Sequence, residues 1–361
     1  FSTTLYTGNG STQTITNNID LSTDGGLVWI KVRDYALSHY LFDTERGIST
    51  QLKSNSTDFQ STISGKFVTS FNTDGFTVDD DVDGSYGVNG SSGTYGNDYV
   101  SWAFKKKSSF FDVVTYTGVD APQTISHNLG SVPGCIIVKR TDTTGDWAVY
   151  HRGVDATSPQ NYWLKLNNTD VREDYDMWND TAPTSTEFSV RLNGTVNEGG
   201  GSYVAYLFAH DNAADGLIQC GSFTTDGSSD ASVTLGWEPQ WILYKSTADG
   251  SWSLYDSVRG LDAGSGKLLL ANSNLAEISP TGGIPTSSTG FTVNTGETNT
   301  TYIYIAIRAA SALDLTWPSS IEWAGGVAPS APATGETDVF TLSTDDGGTS
   351  YVGVKTADNL S

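Results

Sequence analysis

The chain has 361 residues, 41 of them acidic and 19 basic, for a formal net charge of −22. A nucleic-acid binder needs lysine and arginine to neutralise phosphate, so this balance argues against one, and anionic membrane surfaces are disfavoured for the same reason. No apolar run is long enough to insert in a membrane and no signal peptide is visible. The length calls for two to four domains rather than one small core.

Turn formers, led by 39 glycines, alternate with β-branched and aromatic residues. That composition suits short strands joined by tight turns. The chain opens at Phe1 in a strand-like run, as a piece of a longer protein would. In chain order, "TQTIT" (12–16), "LVWIKV" (27–32), "GFTV" (75–78) and "YVSWAF" (99–104) read as strands bounded by Gly, Asn and Asp. The alternation in "YVSWAF" places one face on a core. Only "STDFQS" (56–61) fits a single helical turn.

The same landmarks then return twice. Apolar runs end at Lys31, Lys139 and Lys245, and Arg-Gly pairs follow at Arg46, Arg152 and Arg259. Phe42, Tyr150 and Tyr255 coincide, with Trp147 and Trp252 three residues before the latter two. Leu-then-Asn landmarks fall at Leu52 and Asn55, Leu164 and Asn167, and Leu269 and Asn272. "GFTV" becomes "EFSV" (187–190) and again "GFTV" (290–293). Landmarks in constant order over three copies establish tandem duplication. The second copy departs most: it loses the glycine before Phe188 and shortens its Arg-Gly loop.

Many short strands without crossover helices imply antiparallel pairing. The expected fold is all-β: three tandem antiparallel β-sandwich modules, jelly-roll-like, at 1–108, 109–213 and 214–310, followed by a C-terminal β-hairpin segment at 311–361. The cysteines Cys135 and Cys220 sit in apolar strand-like runs and are expected as buried free thiols, with a disulfide as the alternative.

Three groups of side chains are candidates for function. Asp43 precedes Arg46 by three residues, and Asp256 precedes Arg259 likewise, with His151 in the acidic place of the second copy. An internal pair that staples a loop to the sheet explains the recurrence; the alternative is an arginine presented to a ligand carboxylate or sulfate. Asp79, Asp81 and Asp83 stand in a D-x-D-x-D-G pattern that suits Ca²⁺, although an EF-hand would need Glu where Gly90 stands; a solvated acidic loop is the competing reading. Trp163 and Trp178 could stack on sugar rings, whereas Trp29, Trp102, Trp147, Trp241 and Trp252 occupy repeat landmarks and are expected in the core. Catalytic signatures are missing from the sequence. His39, His127, His151 and His210 lie at positions that do not match between repeats.

"YTGNG", "VWIK", "ERG", "SFNTDGFTV" and "YVSWAF" in this order resemble a repeated module of tailed-bacteriophage structural proteins, especially marine ones. The stretch "TWPSSIEWAGG…DVFTLSTDDGGTSYVGV" (316–354) is similar to a C-terminal segment of phage tail-fibre proteins. The resemblance implies a virion protein without catalytic residues: a tail-fibre or adhesin subunit that attaches to a host-surface glycan and contacts other virion proteins, homotrimeric if a fibre. Capsid decoration is the alternative, and a glycan depolymerase a lesser one.

Overall fold

The computed structural model describes residues 1–79, 87–91, 96–213, 215–261, 266–280, 283–309, 321–323, 337–344, 348 and 350–360, with 337–338 and 356–360 described by backbone alone. Among these the chain is all-β, with one 3₁₀ turn at Pro159–Asn161. Residues 56–60 form no helical turn; they run between short strands and bond to the next module, as set out below.

Each repeat builds a main sheet with the same order: first strand, last strand, then the two middle strands. In the first module these are Ser2–Thr7, Asp98–Lys105, Gly26–Val32 and Tyr40–Asp43. In the second they are Phe111–Thr117, Ser202–Ala209, Pro133–Arg140 and Trp147–His151, extended by Tyr162–Lys165 and Glu173–Asp174. In the third they are Ile218–Thr224, Thr301–Arg308, Pro239–Ser246 and Ser253–Asp256, extended by Leu269–Leu270. All these pairings are antiparallel, with register such as Trp29 opposite Trp102. A smaller sheet faces each main sheet and completes the sandwich: Gln13–Thr16, Gly75–Val78 and Val68–Asn72 in the first module, and Asp230–Thr234, Gly290–Asn294 and Thr286–Ser287 in the third.

Glycine is demanded at one turn of this small sheet. A Cβ on Gly75 would stand 2.0 Å from the Ile15 carbonyl oxygen, and one on Gly290 1.9 Å from that of Val233. Where the second module has Glu187 instead, its facing sheet keeps only two strands, Gln123–Ser126 and Glu187–Val190.

The alternating strands bury both faces, not the single face their pattern suggests. Val28, Ile30, Val32 and Tyr99 point into the first module's own core, while Leu27, Trp29, Val100, Trp102 and Phe104 point into a second core. The third module repeats this: Ile242, Tyr244 and Ala306 face inward to their sandwich, and Trp241, Leu243, Ile303, Ile305 and Ile307 face the second core. That second core is shared by all three modules. Phe104 meets Phe208 and Trp241 there, each at 5.6 Å between ring centres and edge-to-face. Fully burying a large apolar side chain stabilises by about 1.5–3 kcal/mol, so the shared face binds the modules firmly. They are not beads in a row: residues 1–308 form one compact unit.

Residues 309–361 form the other unit. Its hairpin pairs Thr337–Ser343 with Tyr351–Leu360, but Ile321–Trp323 adds a parallel strand, so the sheet is three-stranded and mixed rather than a plain hairpin. Cys135 and Cys220 are buried and free. Among the described residues no helix is long and apolar enough to cross a membrane.

Candidate functional site

The three modules close on one another through bonds that repeat from junction to junction. The loop after each repeated asparagine lies on the strand exit of the next module. Gln60 N–H donates to the Thr141 carbonyl at 3.1 Å, Arg172 N–H to Thr247 at 2.9 Å, and Glu277 N–H to Arg33 at 2.7 Å. The last of these returns from the third module to the first, so the modules form a closed ring with pseudo-threefold contacts. The asparagines anchor the strand starts: Asn55, Asn167 and Asn272 accept from the backbone N–H of His39, Trp147 and Trp252 at 2.9, 2.8 and 2.8 Å.

The tryptophan landmarks serve the same junctions. Trp147 Nε1 donates to the Lys53 carbonyl at 3.0 Å, and Trp252 Nε1 to that of Lys165 at 2.8 Å. In the first module His39 holds this place and accepts from Trp29 Nε1 at 3.0 Å. The equivalent lysines are fully buried and cap carbonyls. Lys139 Nζ reaches Thr57 of the preceding module and its own Gly145, and Lys245 Nζ reaches Thr169 of the preceding module with its own Ser246 and Ala248. Lys31 Nζ bonds Val32 and Tyr35 carbonyls within its own module. Burial lowers the pKa to about 7 for Lys31 and to about 8 for Lys139 and Lys245.

The repeated charge pairs sit at these seams. Asp43 and Arg46 pair at 2.6 Å, and Asp256 and Arg259 at 2.5 Å, all buried at the side chain. Each arginine also donates to a carbonyl of its own sheet, Leu41 or Leu254. The stapling role fits, and a further one joins it: each aspartate accepts a hydrogen bond from the neighbouring module. Tyr206 donates to Asp43 at 2.7 Å and Trp102 to Asp256 at 3.0 Å. Neither arginine is presented to solvent.

The second module breaks the pattern. His151 stands in the aspartate's place, with Nδ1 accepting from the Gly153 N–H and Nε2 donating to the Tyr304 carbonyl of the third module, each at 3.0 Å. Burial holds its pKa down at about 3, so the imidazole is neutral. The arginine follows immediately as Arg152 rather than three residues on, and its side chain is exposed. It borders a cleft of about 520 Å³ between the second and third modules, lined also by Asp155, Arg172, His210, Gly221 and Thr301. A second cleft of about 450 Å³ shares Arg152, Asp155 and Ala156 and continues over Pro133, Pro159 and Pro183.

The sequence candidates fare unevenly. Trp163 and Trp178 are 5% and 2% exposed, so neither offers a face to a sugar. Trp178 donates Nε1 to the Tyr162 carbonyl at 3.0 Å and packs edge-on against Tyr150; the polar run around it lies over the core instead of marking an exposed ring. The five landmark tryptophans are all buried, as expected. Asp79 accepts from Thr12 at 2.8 Å and lies 3.7 Å from Lys66. Asp81 and Asp83 lie outside the described residues, and among those described no cluster of three or more metal-ligating side chains occurs. The clefts themselves were missed; the shortened loop before Arg152 was their one visible signal.

A family model described as a domain of unknown function, DUF7483, matches residues 1–310. The match spans the whole ring rather than one repeat. No curated protein matches the chain.

Proposed function

The chain belongs to the DUF7483 family of domains of unknown function, and we propose, on its phage-like motif order and the layout of its ring, that it is a virion surface protein of a tailed bacteriophage, a tail-fibre or adhesin subunit that attaches to a host-surface glycan. The observation that supports this best is the division of labour in the ring. The residues that repeat (the asparagines, lysines, Asp43–Arg46 and Asp256–Arg259) close the seams, while the residues that diverge open a groove. A rigid scaffold that displays divergent loops is what a binding protein requires. The phage-like motif order supplies the virion setting, and the acidic surface suits a soluble extracellular particle. Its partners would be other virion proteins, and a fibre subunit would assemble as a homotrimer.

Immunogold labelling of the particle and adsorption assays test this together. Label on the fibre, with adsorption blocked by the soluble chain, supports adhesion. Label spread over the head shell with unhindered adsorption would replace it with a capsid-decorating role. Release of reducing ends from host polysaccharide by the purified chain would make it a depolymerase.

A further inference from the structure

We propose that the groove at the seam of the second and third modules binds an acidic sugar, with Arg152 pairing its carboxylate or sulfate group. The sugar as carrier rests on the adhesin reading above; the anion site rests on the ring itself.

The three seams provide an internal comparison. At two of them the landmark arginine is consumed: Arg46 by Asp43 and the Leu41 carbonyl, Arg259 by Asp256, Glu277 and the Leu254 carbonyl. At the third, two residues are missing between the seam position and the arginine, and the aspartate has become His151. The neutral imidazole closes the seam on the Tyr304 carbonyl, so the seam no longer needs the arginine. The Arg152 guanidinium makes no hydrogen bond, ion pair or ring contact among the described residues, although its backbone N–H is held by Gly134 at 2.9 Å. In a chain of net charge −22, an unpaired guanidinium at the meeting of two clefts is an exception to the surface around it.

The rest of the groove fits the same ligand. The other charged groups in the wall compensate each other: Arg172 bonds the Val154 carbonyl, lies 3.4 Å from Asp155 and stacks 4.4 Å over the Tyr162 ring. Arg152 therefore carries the excess charge. One half of the groove carries hydroxyls from Ser222, Thr224, Thr247 and Thr301; Thr224 and Thr301 bond each other at 3.0 Å and Thr247 donates to the Thr301 carbonyl, which leaves their oxygens as acceptors for a sugar hydroxyl. The other half is apolar, with Val132, Pro133, Pro159, Ala182 and Pro183. Hydroxyls beside flat apolar walls suit pyranose rings, whose edges are polar and whose C–H faces are not. A guanidinium fork matches a planar carboxylate or a sulfate through two parallel N–H bonds. The floor is fixed by close backbone approach, since a Cβ on Gly153 would stand 2.9 Å from the Gly221 carbonyl.

Calorimetric titration of the full chain with oligogalacturonate, sulfated dextran oligosaccharide and neutral dextran oligosaccharide of equal length tests the proposal. At least one acidic oligosaccharide should bind roughly tenfold tighter than the neutral one, the loss of one charge-assisted contact being worth about that factor; whichever arm binds identifies the group. Arg152→Gln should lose about that factor and Arg152→Lys should recover part of it. Arg140→Gln, which removes a surface charge paired with Asp142 and Glu198 outside the groove, should bind as the wild type does. Melting temperatures should stay unchanged, because Arg152 has no internal partner to lose. Equal binding by wild type and Arg152→Gln, or no binding of either acid, overturns the proposal. If Arg152→Gln still blocks adsorption as well as wild type, the groove falls and adhesion stands. If the sugar binds through Arg152 but the chain blocks no adsorption, the groove stands and adhesion falls.

Discussion

The hydroxyl of Tyr206 donates to the Asp43 carboxylate at 2.7 Å across the seam between the second and first modules, and the same carboxylate holds Arg46 at 2.6 Å. One acidic group thus serves the loop of its own module and the strand of the next. Trp102 and Asp256 repeat the arrangement from the first module to the third, with Arg259 5.4 Å from the Trp102 ring centre. Burial raises the Tyr206 pKa well above the ordinary tyrosine value, so this hydroxyl stays protonated and donates through neutral pH.

Removing the two partners should therefore cost very different amounts. Tyr206→Phe deletes two hydrogen bonds, the one donated to Asp43 and a longer one accepted from Arg46 at 3.3 Å, and leaves the buried ion pair intact, a loss of about 1–3 kcal/mol. Asp43→Ala strands a buried guanidinium, a loss of about 3–5 kcal/mol. Urea unfolding of both variants checks the order; equal losses would mean that the Asp43–Arg46 pair is not the centre of the seam.

The shared core makes a second expectation. Residues 1–108 alone would expose Leu27, Trp29, Trp102 and Phe104, all nearly inaccessible in the ring. The isolated module should aggregate or bind a hydrophobic dye, whereas residues 1–308 should unfold in one cooperative transition with equal calorimetric and van't Hoff enthalpies. A soluble, sharply melting single module would contradict the ring.

Trp178 is a packing residue, and its substitution should show it. Trp178→Ala removes a large buried ring and its bond to the Tyr162 carbonyl, which costs about 3–5 kcal/mol. Acidic-sugar binding by the remaining folded protein should keep its dependence on Arg152, because Trp178 touches the groove only through Tyr150 and Tyr162 behind its wall. A binding loss without a stability loss would restore the ring to a ligand role.

The module was legible in the sequence because its landmarks have local causes. Asn55, Asn167 and Asn272 recur since each holds a strand start, and "GFTV" recurs since Gly75 and Gly290 lie against a carbonyl where no side chain fits. Ring closure was not legible. Period-two patterning says that Trp29 and Val28 point opposite ways; it does not say that Trp29 meets other modules while Val28 meets its own. The groove was hidden for a related reason. Arg152 matches its repeat partners by name, and only the spacing to His151 shows that its inward partner is gone.

The buried lysines set the last prediction, on pH. Lys31, Lys139 and Lys245 have folded-state pKa values of about 7, 8 and 8, against 10.5 for the unfolded chain. Between about pH 8 and 10 the unfolded chain holds protons that the folded ring has released, so stability rises with pH there, by up to about 1.4 kcal/mol per pH unit for each lysine. Below about pH 6 all three are charged in both states and add no further slope. The buried tyrosines work the other way. Burial raises the pKa of Tyr6, Tyr116 and Tyr206, so the stability they contribute is lost as pH rises beyond the ordinary tyrosine value near 10. Urea midpoints should climb from pH 8 to a maximum near pH 9–10 and then fall. Lys245→Met should flatten the rising limb without moving the falling one. A midpoint that is level or declining between pH 8 and 9 would show that the lysines keep their protons inside the ring, held by the carbonyls they cap.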